Sequence, residues 1–149
     1  MKRTLLRAFS SVITLCLLLS LNSGFTLAVA PQPDGIQSSD YLNSYAAGTY
    51  FYNGKVVVSV SVDAVVYATQ IGARDIYLYE STNGVDFTCV KHYNYLSYPN
   101  MMGSGWSYDR DAVEDYTAVS GRYYKAVVYV YAGDSTGYDC RSYSTAIIP

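Results

Sequence analysis

An all-β fold is predicted by two runs of strict alternation, by two hairpin turns, and by the lack of any sustained helical period. In residues 121–133, Tyr124, Ala126, Val128, Val130 and Ala132 share one side of an extended chain. Tyr123, Lys125, Val127, Tyr129 and Tyr131 share the other. The first side is small and apolar, suited to a dry interior; the second is long and amphipathic, suited to water or a neighbouring surface. This is the predicted central strand. In the other run Val56, Val58, Val60 and Val62 oppose Val57, Ser59, Ser61 and Asp63, and Asn53-Gly54 and Asn83-Gly84 supply the positive φ angles of tight turns.

In chain order, residues 1–30 read as an export signal. Lys2, Arg3 and Arg7 form its basic start, Ala8 to Leu21 its apolar run, and Ala28-Val29-Ala30 its small-residue cleavage region. A run of fourteen residues falls short of the roughly 20 needed to cross a bilayer, so no membrane span is expected. Cleavage after Ala30 would leave Pro31 at the cut, which keeps Ala28 open as the alternative. Leu15 precedes Cys16 where a lipid-modified cysteine would want a small residue. A secreted, extracellular protein is the expectation.

Residues 31–40 are polar and read as a flexible leader, and 41–149 as the domain. A strand over 45–52 turns at Asn53-Gly54 into 56–63. Residues 64–70 either continue that strand or cross to a second sheet. Ile76 and Leu78 point inward and Tyr77 and Tyr79 outward, before Asn83-Gly84 folds the chain onto 87–93. Residues 95–106, with Pro99, Gly103 and Gly105, read as a long loop. Residues 108–119 read as a charged edge strand. The strand over 121–133 follows, and Asp134-Ser135-Thr136-Gly137 returns it into a last strand over 138–147. About seven short strands separated by turns predict an immunoglobulin-like or fibronectin type III-like antiparallel β-sandwich. Gly121-x-x-Tyr124 matches the tyrosine corner of such domains.

Without its signal the chain has about 119 residues, enough for one core burying roughly 65% of the unfolded surface. Seven Lys and Arg then face twelve Asp and Glu, a net charge of −5. With no basic patch, neither nucleic acid nor an anionic membrane is an expected partner. All eighteen tyrosines lie beyond the signal. Tyrosine is a strong strand former that buries its ring and wets its hydroxyl, and that accounts for them more simply than a sugar-stacking platform.

Several segments carry a resemblance: Ile71-Gly72-Ala73, residues 76–81, residues 98–103, residues 121–126, Tyr131-Ala132-Gly133, and the group Gly137, Asp139, Arg141. Together they resemble a family of small secreted bacterial proteins of unknown function, each a single domain behind a signal peptide. The resemblance implies a sandwich fold and brings no functional residue with it. Phe87 stands where that family more often has tryptophan, and Cys89 and Cys140 depart from its pattern.

Export would expose Cys89 and Cys140 to oxidation, and a bridge across 51 residues would restrict the unfolded chain by about 4 kcal/mol. If two strands separate them, at about 4.8 Å per strand, they lie roughly 14 Å apart, beyond bridging range. Spacing leaves both outcomes open.

Gly133-Asp134-Ser135-Thr136-Gly137 is a literal Gly-x-Ser-x-Gly, and His92, the aspartates and Ser135 run in the order of a chymotrypsin-like triad. A nucleophile elbow needs a following helix, however, whereas residues 138–149 read as strand. Hydrolysis by Ser135 is kept as the alternative to a non-catalytic protein. Asp109, Asp111, Glu114 and Asp115 form an acidic cluster, with Asp109, Asp111 and Asp115 a weak calcium alternative to a solvated edge. One histidine and two distant cysteines make no zinc site, and no cofactor is expected. The leading expectation is an extracellular binding or adhesion module that contacts a glycan or a surface protein through the 95–106 loop. Trp106, Tyr98 and Tyr108 are its candidate ligand-binding residues.

Overall fold

Val56, Val58, Val60 and Val62 are wholly buried, and the alternation that buries them opens a far longer element than expected. The computed structural model describes residues 40–149; the expected signal and all but the last residue of the leader lie outside these. The described residues form six strands: β1 (Leu42–Tyr52), β2 (Lys55–Ser81), β3 (Thr88–Asn94), β4 (Met102–Thr117), β5 (Tyr123–Gly133) and β6 (Tyr138–Ser144). A single 3₁₀ turn, Pro99–Met101, precedes β4, and the described residues contain no α-helix.

The strands make one antiparallel sheet, threaded by β2. Its first part, Lys55 to Ala64, lies between β1 and β4. Its last part, Asp75 to Glu80, lies between β3 and β5, and β6 extends the sheet from β5. Ile71 is paired on both edges, with Gly103 of β4 and Ala132 of β5. Hence β1 and β5 succeed each other along one edge of β2, and β4 and β3 along the other.

The two strands expected at 56–63 and 76–79 are therefore one of 27 residues. Residues 64–70 contain neither Gly nor Pro, so nothing breaks the extended chain. What changes there is the pairing: β1 ends at Ala64, β5 begins at Gln70, and the β4 register slips between Asp63 and Ala68. Gly72 makes the tightest approach, with φ 140° and no room for a Cβ against the Met101 carbonyl oxygen.

The sheet curls so that its two parts enclose one core. That core joins Val56, Val58, Val60 and Val62 of the first part to Ile76, Leu78, Tyr124, Ala126 and Val128 of the second. Rings meet across it edge to face, with Phe51 and Tyr124 centred 5.8 Å apart and Tyr45 and Tyr143 6.3 Å apart. The Thr49 and Thr145 hydroxyls hydrogen-bond across it at 2.7 Å.

The β4–β5 connection carries the chain between the two parts, and Tyr124 fastens it. Its ring is fully buried, its hydroxyl accepts the Val119 N–H at 2.9 Å, and it donates to Glu80 Oε2 at 2.8 Å. Glu80 also accepts from the Tyr116 hydroxyl at 3.4 Å and faces the Arg122 guanidinium at 3.8 Å. Burial, and then the nearby carboxylate, raise the Tyr116 phenol above its ordinary pKa; burial first raises that of Tyr124. Tyr124→Phe keeps the ring and removes both bonds, leaving Glu80 and the Val119 N–H without this partner. The expected loss is about 1–3 kcal/mol, read as a lower urea midpoint at unchanged slope. An unchanged midpoint would show that the hydroxyl fastens nothing.

Candidate functional site

Where the pairing changes along β2, side chains on the outer surface lose their cross-strand cover. Val65 and Tyr67 stand exposed there, Tyr67 at 53%, while Val66, also exposed, alternates to the other face of β2. Trp106, 60% exposed, meets the Tyr67 ring edge to face at 6.3 Å between centroids. Trp106 lies inside β4 rather than in the expected loop, because β4 begins at Met102, beside Gly72. Gly103 and Gly105 predict a loop; here they pair with Ile71 and Ala68, and Gly105 takes φ 138° where β4 follows the irregular part of β2. The result is an aromatic and aliphatic patch held on strands.

The other two expected contact residues face differently. Tyr108 is buried and donates its hydroxyl to the Asn100 carbonyl at 2.7 Å, so it braces the 3₁₀ turn from within. Alternation explains the burial: Tyr108 stands opposite Val62, on the core face. Tyr98 is half-buried against Tyr93, with its hydroxyl 3.3 Å from Asp115 Oδ2. Of the three, Trp106 alone is exposed.

The acidic residues are drawn to different partners. Asp109 is exposed opposite Ser61, whereas Asp111 accepts the Tyr50 hydroxyl at 2.7 Å. Asp115 accepts the Tyr93 hydroxyl at 2.6 Å. Register shifts on either side of the Val58–Val113 pair break the regular alternation, and Ala112 and Val113 are both buried. Burial first, then the Asp115 hydrogen bond, raises the Tyr93 phenol well above its ordinary pKa. Among the described residues, no three His, Cys, Asp or Glu side chains are grouped to hold a metal ion.

Ser135 is exposed at the tip of the β5–β6 turn. His92 is in β3, its Nε2 2.8 Å from Asp75 Oδ1 and its ring stacked on Tyr77 at 4.2 Å. It pairs with Tyr77, while Gly133, next to the turn, pairs with Gln70. Seven residues of β2 at about 3.3 Å each separate those positions, roughly 23 Å along the strand. Cys89, exposed, and Cys140, half-buried, are both free thiols. β3 and β6 are separated by β2 and β5. Burial raises the Cys140 thiol above its ordinary pKa.

No family model, curated protein or solved structure matches this chain.

Four of the remaining tyrosines cover one another in two pairs. Tyr77 sits between His92 and Tyr129, Tyr131 stacks on Tyr138 at 5.3 Å, and Lys125 lies 4.4 Å over Phe87 and 5.9 Å over Tyr79. This is cross-strand packing on an outer sheet face. Desolvation is the first cause of the raised phenol pKa at Tyr77, Tyr79 and Tyr131.

An open cleft of about 530 Å³ lies between Tyr41, Val66, Tyr138 and the β5–β6 turn. Sequence reasoning missed it, because Tyr41 and the turn are more than 90 residues apart. Asp134 Oδ1 accepts the Thr136 hydroxyl and N–H, both at 2.7 Å, and the Tyr41 hydroxyl at 3.1 Å. Asp139 Oδ2 accepts the Tyr41 N–H at 2.8 Å. The Gly-Asp-Ser-Thr-Gly sequence thus builds a turn that anchors the start of β1. These bonds, the Thr136 hydroxyl foremost, hold the Asp134 carboxyl below its ordinary pKa. A carboxylate depressed by folding stabilises above its unfolded pKa, and that contribution is lost as pH falls through the folded value. Asp134→Asn is expected to be less stable than wild type near neutrality, with the difference shrinking through the acid range. A difference independent of pH would contradict the charge-assisted turn.

Proposed function

We propose that this protein is a secreted, non-catalytic binding module, an immunoglobulin-like or fibronectin type III-like sandwich that contacts an extracellular glycan or surface protein. The basic start and short apolar run of residues 1–30 support export. The Tyr124 bond back to Val119 supports the sandwich, since a tyrosine corner makes the same link. Resemblance to small secreted bacterial proteins points the same way.

The observation that carries the binding role is the Trp106–Tyr67 pair, with Val65 exposed on the same face of β2 as Tyr67. Exposed tryptophan beside exposed tyrosine is the composition of interaction hot spots, and the patch stands on strands that need little ordering to bind. Catalysis by Ser135 is disfavoured because His92 is engaged by Asp75 and Tyr77, far along β2 from the turn.

Glycan and extracellular-matrix arrays probed with the mature protein are expected to yield a ligand whose affinity falls at least about tenfold in Trp106→Ala and in Tyr67→Ala. Both side chains are exposed, so melting temperatures should change little. Full-strength binding by both variants would rule out the patch. A serine-directed probe that labels wild type but not Ser135→Ala would overturn the non-catalytic reading.

A further inference from the structure

The two Asn-Gly turns share a dipeptide and differ in how their amides are held. At the second, Asn83 Oδ1 accepts the N–H groups of Val85 and Asp86, each at 2.9 Å, and the Ser81 hydroxyl at 2.9 Å. Its Nδ2 donates to Asp86 at 2.8 Å. The N–H of Gly84 donates to the buried Ser81 hydroxyl at 2.9 Å. Side-chain amide and following backbone nitrogen are both committed.

At the first turn neither is. Asn53 and Gly54 are exposed at the hairpin tip, with φ 49° and 73°. Neither the Asn53 side chain nor the Gly54 N–H has a hydrogen-bond partner among the described residues. Space around Gly54 is open, with no atom within 4 Å of a Cβ built there.

We infer that Asn53-Gly54 is a site of spontaneous deamidation through a cyclic imide, and that Asn83-Gly84 is protected from it. The reaction needs the backbone nitrogen after the asparagine to reach the side-chain carbonyl carbon. At residue 53 the Gly54 nitrogen gives up its proton and attacks Cγ of Asn53. A Cγ–N bond forms, the Cγ–Nδ2 bond breaks, and Nδ2 leaves as ammonia with the proton. Water then opens the five-membered ring at either carbonyl, giving aspartate or isoaspartate at 53. The only co-reactant is water, and no electron is transferred. A missing glycine side chain leaves the attack unhindered at both turns; the hydrogen bonds make the difference. At Asn83 the Ser81 bond to the nucleophile and the bonds to the side chain must be released first, and one such bond already supplies about a tenfold slowing.

The product matters to the fold. Isoaspartate lengthens the backbone at a two-residue turn whose register is set by Tyr52 opposite Lys55, and either product adds a negative charge beside Lys55. The turn also accepts the Ala118 N–H through the Gly54 carbonyl at 2.9 Å, so the altered backbone bears on the end of β4.

The test is timed peptide mapping of the mature protein, incubated folded in mildly alkaline buffer with an unstructured Asn-Gly peptide as the clock. Wild type is expected to accumulate aspartate and isoaspartate at 53 at least about tenfold faster than at 83. Ser81→Ala, which frees the Gly84 N–H, is expected to speed conversion at 83. Equal rates at the two sites, faster conversion at 83, or an intact Asn53 after the reference peptide has fully converted would each overturn the inference.

Discussion

Along β2 every backbone N–H and C=O inside the sheet needs a partner, and no single neighbouring strand is long enough to provide them for 27 residues. The chain meets that demand by relays: β1 hands over to β5 along one edge, and β4 to β3 along the other. The handover leaves Val65 to Tyr67 short of cover, and the curl that accompanies it brings Val56, Val58, Val60 and Val62 into one core with Ile76 and Leu78. Core and exposed patch are thus two consequences of one strand. The Tyr124–Glu80 bond then fastens the side where the curled sheet meets itself, tying the β4–β5 connection to the end of β2.

Local order was readable in the residues. Val56, Val58, Val60 and Val62, and Tyr124, Ala126, Val128, Val130 and Ala132, are buried as their alternation requires, though Val57 on the other face is buried too, and the first Asn-Gly turn has the positive φ angles its composition demands. Strand 108–119 was legible too as an edge, since β4 pairs with β2 alone among the described strands. Continuity of β2 was not legible, because Val-Val-Tyr-Ala-Thr-Gln suits a strand equally well whether it stays in one sheet or passes between pairings. Trp106 was misread as a loop residue for the opposite reason. Its neighbouring glycines are turn formers in general, and here both lie inside β4, Gly105 with φ 138° at the irregular pairing with β2.

The site was harder to read because side-chain partners far apart in sequence decide it. Asp134, Ser135 and Gly137 carry the letters of a nucleophile motif, yet Tyr41 and Thr136 turn Asp134 into the brace of a turn. Tyr108 and Trp106, two residues apart, would share a face in a regular strand, and the register shift between the Asp63–Ser107 and Ala68–Gly105 pairs parts them. Part of the tyrosine excess likewise resolves by contact: Tyr77 packs on Tyr129 and Tyr131 on Tyr138, while Tyr67 reaches Trp106 at an edge left open. What distinguishes the exposed patch in this chain is therefore missing cover, a property of pairing rather than of composition.

Amide hydrogen exchange under increasing denaturant tests the shared strand most directly. Amides of Val56–Val62 and of Ile76–Leu78 are expected to exchange through one common opening, with the same free energy and the same denaturant slope. If the first part of β2, with β1 and β4, opened at a lower free energy and a smaller slope than the second, the sheet would be two independent units and β2 would not be what unites them.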